Sequence, residues 1–125
     1  MNIKDGDKIN ILGTEYTFKI GDDYSECFKG TDGFIMYAEK IIVISDMSSY
    51  QVTKDYADKN IFLRSVQNHT LRHEILHAFL FESGLWDNTE KNSGAWAMNE
   101  EMIDWFAIQS PKIFKLYEEL DILED

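Results

Sequence analysis

The sequence predicts an α+β fold: a small N-terminal antiparallel or mixed β-sheet packed on a long helix, with two further helices at the C-terminal end. Three observations predict it. Apolar positions tend to alternate through the first 45 residues, they take helical spacing from about Asp58 onward, and turn or cap residues mark the boundaries. A chain of 125 residues can bury a core without disulfides or a second domain, so residues 1–125 are expected to form one domain.

The stretches INILGTEYTFKI and CFKGTDGFIMYAEKIIVIS read as strands joined by tight turns. TDGF at 31–34 has turn chemistry, and residues 38–40 are expected to join a strand at 34–37 to one at 41–45 as a hairpin, giving three or four strands. From Asp58 the residues Ile61, Phe62, Val66, Thr70, Leu76, Phe79 and Leu80 supply packing positions for a long central helix, which Ser83 and Gly84 stop. Residues 85–93 read as a polar surface loop. Asn92 or Ser93 is then placed to cap the helix GAWAMNEEMIDWFAIQ, and Pro111 to open a third helix with Ile113, Phe114, Tyr117 and Leu120 on one stripe.

Charge narrows the partners. Lys and Arg number 12 against 23 Asp and Glu, a formal charge of -11, and such a surface is repelled by phosphate backbones and anionic lipid. Neither nucleic acid nor membrane is expected as a partner. The start MNIKDGDKIN lacks the basic and apolar regions of a secretory signal, and no run of 18 apolar residues occurs. Cys27, the one cysteine, cannot form an internal disulfide and is expected to be structural, which fits a cytoplasmic location.

The chemistry concentrates in HTLRHEILHAFLFESG, residues 69–84, which holds all 3 histidines. On an α-helix His73 and His77 project from one face and can share an ion. Glu74 lies about 100° around the helix from His73, beside such an ion yet turned from direct ligation, as suits a general base. His69 sits roughly 12 Å along the axis from His77, too far to join it on one tetrahedral ion. It reads as a residue at the cleft rim or a substrate or oxyanion contact. A catalytic zinc takes a third protein ligand, and no histidine is left. The segment NEEMIDWFA at 99–107 supplies carboxylates: Glu100 and Asp104 share a face, so Glu100 can close the site while Asp104 hydrogen-bonds an imidazole. Glu101 is the alternative third ligand.

HEILH followed by NEEMID resembles the gluzincins, whose thermolysin-type members carry H-E-x-x-H on one helix and a glutamate, then an aspartate four residues on, in a later helix. The short chain, the leading β segment and WFA after the acidic pair are most similar to ImmA/IrrE-like peptidases of mobile elements and to small prophage-encoded relatives. The resemblance implies one Zn2+ per chain held by His73, His77 and Glu100, with Glu74 as general base and Asp104 as the partner of His73. It also implies a minimal gluzincin fold and a protein or peptide substrate. Larger members stabilise the oxyanion with a tyrosine or histidine, for which His69, Tyr50 and Tyr56 are the candidates here.

The leading expectation is therefore a cytoplasmic zinc endopeptidase. Its rival is a non-catalytic, zinc-stabilised prophage protein whose acidic surface serves as a protein-binding module. A closed four-ligand site would favour the rival, because a structural zinc needs no base. A metal-free helical protein with a coincidental motif is the third reading.

Overall fold

In the computed structural model, which describes residues 3–21, 31–48, 58–86 and 95–124, alternation and turn chemistry give a four-stranded mixed sheet followed by two α-helices. Strand β1 (Lys8–Ile11) turns back into β2 (Thr14–Ile20) through Leu12 and Gly13. Both have positive φ, the requirement of the two-residue hairpin turn that matches strand twist, and the Gly13 N–H donates to the Asn10 side chain at 2.8 Å. Strand β3 (Gly33–Met36) and β4 (Ile41–Ile44) form the expected hairpin across residues 37–40, with β3 shifted one residue earlier and β4 ending one residue sooner than the sequence predicts.

The sheet order is β1-β2-β4-β3, with β2 and β4 parallel and both outer pairings antiparallel. Tyr16 and Phe18 of β2 and Ile42 and Ile44 of β4 point to one face and are fully buried there with Ile11. That face receives helix α1 (Lys59–Glu82), whose Leu71 and Ala78 enter the same core while Ile75 packs against it. Contact is closest at Gly33: a Cβ there would lie 2.8 Å from Thr70 Cγ2 and 3.0 Å from the Val43 carbonyl oxygen. Only glycine lets α1 come this near to β3.

Helix α1 begins as expected. The Asp58 side chain accepts from the N–H groups of Asn60 and Ile61, and Gly84 with φ +83° follows the last turn. Its buried face differs from the expected one. Leu71, Glu74 and Ala78 are covered, while Ile61 and Phe79 are exposed. Of the residues on this face, Ala78 is small enough to be fully covered, while Leu71 and Ile75 fill the space beside it.

Two corrections concern the C-terminal part. Helix α2 (Glu100–Glu119) starts six or more residues later than expected, after a 3-10 turn at Trp96–Met98. Its cap is Asn99, whose side chain accepts from the Met102 N–H at 2.8 Å; Asn92 and Ser93 lie outside the described residues, as do Cys27, Tyr50 and Tyr56. Pro111 opens no third helix but sits inside α2, so the two expected C-terminal helices are one. Proline's fixed φ is compatible with the helix, and the bond its missing N–H would have made to the Ala107 carbonyl is replaced by the Arg72 Nε, at 2.6 Å. Phe114, Tyr117 and Leu120 are exposed rather than packed. Among the described residues no helix is long and apolar enough to cross a membrane.

Candidate metal centre

Because α1 gives Leu71 and Ala78 to the sheet, the i, i+4 pair His73 and His77 is left facing α2. The Asn99 cap fixes where α2 begins, and so sets Glu100 in its first turn and Asp104 one turn later, both toward α1. His73 Nε2 lies 3.0 Å from His77 Nε2 and 3.1 Å from Glu100 Oε2, and His77 Nε2 lies 3.3 Å from that same oxygen. Donors about 2.0–2.1 Å from a tetrahedral zinc stand about 3.3–3.4 Å apart. The three edges are within a few tenths of an ångström of that figure, and two imidazoles with one carboxylate leave a fourth corner open. The residues present therefore fit a zinc ion of the catalytic type.

Asp104 occupies the supporting position. Its Oδ1 is 2.8 Å from His73 Nδ1. With the proton on Nδ1, His73 donates to Asp104 and turns its Nε2 lone pair toward Glu100 and His77, which is the tautomer a ligand needs. Burial holds the His77 imidazole below its ordinary pKa and outweighs the charges of Glu100 and Asp104, which raise it; the neighbouring His73 lowers it further. A neutral ring is the form that binds a metal.

Glu74 belongs to neither group of metal-capable donors. Its side chain is on the buried side of α1, only 7% exposed, and burial pushes its pKa up to about 7; His73 opposes the rise and Glu100 adds to it. A carboxyl poised near neutrality is suited to taking and returning protons.

His69 stays apart from His77 and Glu100, as the helical rise requires, and joins a second donor group with His73 and Asp104. Its Nε2 is 3.3 Å from Asp104 Oδ1 but misaligned for a hydrogen bond, and this buried atom has no partner among the described residues. Glu101 is exposed and joins neither donor group. Beside the centre lies a cavity of about 210 Å³, lined by Thr31, Asp32, His69, Thr70, Glu74 and Asp104 among others. Burial raises the Asp32 carboxyl pKa, and His69 opposes it.

Tyr37, at the β3–β4 turn, was not singled out by the sequence. Its phenol is pushed up to about 12, first by burial and then by the charges on Glu74 and Glu100, so its hydroxyl remains a donor in the field of the site. The ring stacks obliquely on Phe81, with centroids 4.5 Å apart, and on Trp86 at 5.8 Å. An aromatic near a turn carries no local sign of which helix will receive it.

The chain matches no protein-family model, no curated protein and no solved structure.

Proposed function

We propose that this chain is a zinc-dependent peptide hydrolase. The observation that supports it most is the triangle of His73 Nε2, His77 Nε2 and Glu100 Oε2, 3.0–3.3 Å on an edge, with the buried carboxyl of Glu74 beside it. Zinc, when bound, supplies Lewis-acid polarisation of a peptide carbonyl and acidification of water.

The chain's own groups do the rest. Glu74 accepts the proton of the attacking water and delivers it to the departing amine nitrogen, which balances the hydrolysis of one amide. Asp104 holds His73 in its ligating tautomer. The adjoining cavity would give a peptide room beside Glu74. Tyr37 and His69 are the donors available to a developing oxyanion among the described residues. The non-catalytic binding module has no use for a carboxyl buried at cost next to the donor set, so the hydrolase is preferred.

Elemental mass spectrometry of protein purified without added metal tests the reading. Wild type is expected to carry about one zinc per chain and Glu100→Ala little or none. A wild type that stays free of zinc after reconstitution would sink the proposal.

A further inference from the structure

Helices α1 and α2 meet along two flanks. On one stand the imidazoles and carboxylates of the candidate centre; on the other Arg72 reaches from α1 and its Nε donates to the main-chain carbonyl of Ala107 on α2, at 2.6 Å. In a helix interior that oxygen belongs to the N–H four residues on. Here that residue is Pro111, which has no N–H. Ala107 is fully buried, so without Arg72 its oxygen would be an unpaired acceptor shielded from water. The proline reserves one acceptor on α2, and the residue immediately before His73 fills it.

We infer that Arg72 is a positioning residue for the metal centre: through Ala107 it fixes the height and rotation of α2 against α1, and thereby the meeting of Glu100 and Asp104 with His77 and His73. The inference rests on the reading of His73, His77 and Glu100 as zinc ligands. Ala107 lies one turn beyond Asp104 and two beyond Glu100, so a slip of α2 at this point carries both carboxylates with it. A guanidinium suits the task because its planar donors hold a direction, which a flexible ammonium does not.

Two substitutions separate positioning from simple satisfaction of a buried carbonyl. Arg72→Met keeps the aliphatic stem and removes the donor. Pro111→Ala returns an N–H that can pair with Ala107 inside α2. Zinc affinity by chelator competition, the absorption bands of the cobalt(II)-substituted protein and the thermal midpoint of the metal-free protein are measured for wild type, each single variant and the double variant. Arg72→Met is expected to lower the midpoint, alter the cobalt bands and weaken zinc by about 10- to 100-fold, the usual scale for support behind a metal ligand. The double variant is expected to regain most of the midpoint while its zinc affinity stays near that of Arg72→Met.

Recovery of zinc affinity together with the midpoint would overturn the positioning role, as would unchanged affinity in Arg72→Met. If Arg72→Met does not fold, the double variant decides alone, and near-wild-type affinity there overturns the role. A wild type without zinc overturns the metal centre and this role together, an outcome distinct from zinc bound equally in all variants.

Discussion

Glu74 and Glu82 sit two turns apart on the same helix, the first buried and the second half-buried, and their surroundings push them in opposite directions. Glu82 receives the Tyr16 hydroxyl at 2.6 Å, the Lys40 ammonium at 2.8 Å and the Thr14 hydroxyl at 2.9 Å, and these donors, Lys40 first, pull its pKa down. No donor among the described residues reaches the Glu74 carboxylate, so burial pushes its pKa up to about 7. The same side chain is an anchor where donors surround it and is held near neutrality where burial dominates, as the proposed general-base role of Glu74 requires. The difference lies in deeper burial at Glu74 and in the supply of donors at Glu82.

The largest expected effect breaks the comparison at Glu74. Glu74→Gln should retain zinc and lose peptide hydrolysis by about 10²- to 10⁴-fold, the range for removal of a general base; unchanged cleavage of a peptide mixture, followed by mass spectrometry, would remove Glu74 from the chemistry.

Stability against pH sharpens the same contrast. A carboxyl whose folded pKa is raised binds protons more readily folded than unfolded, so its contribution falls as pH rises from about 4.5 to about 7 and stays low above that. Glu74→Gln should therefore stabilise the metal-free protein at pH 8 by about 3 kcal/mol and leave it nearly unchanged at pH 4. Equal midpoints at pH 8 would mean that water or an ion already compensates the charge.

Glu82 has the opposite sign. Its folded pKa is depressed, so its contribution is complete above the unfolded value and is lost as pH falls through the folded one. Glu82→Ala also strands the hydroxyl of the fully buried Tyr16, and should cost about 2–3 kcal/mol at pH 7 with a smaller deficit in acid. A deficit independent of pH would show that packing, not charge, is what Glu82 supplies.

How much of this the sequence discloses follows from which signals are local. Strand alternation, the Asp58 cap and the Ser83–Gly84 stop are written in neighbouring residues and give the sheet and α1 with small boundary errors. Pro111 is ambiguous on its own, because whether a proline ends a helix depends on whether some distant group takes the freed carbonyl, and Arg72 does so only in the folded chain. The donor set is legible since the i, i+4 pairs His73/His77 and Glu100/Asp104 each define a face. Tyr37 is hidden because its relation to Glu74 and Glu100 is created by docking of the β3–β4 hairpin. Glu82 left a faint sign: an acid in the last turn of a helix opposes the helix dipole and calls for a compensating partner.

The parallel pairing of β2 with β4 bears on the order in which these contacts are made. The β1–β2 and β3–β4 hairpins are each local, whereas Thr17 meets Ile41 only after the intervening chain has closed a long loop. Glu82 draws Thr14 and Tyr16 from one side of that joint and Lys40 from the other. Its three donors thus assemble only once the two hairpins have joined, a step that long loop closure is expected to place late on the folding route. Weakening that knot is expected to hasten unfolding while leaving the speed of refolding almost untouched, so the folded state's lifetime is expected to depend on Glu82 rather than on the candidate metal centre.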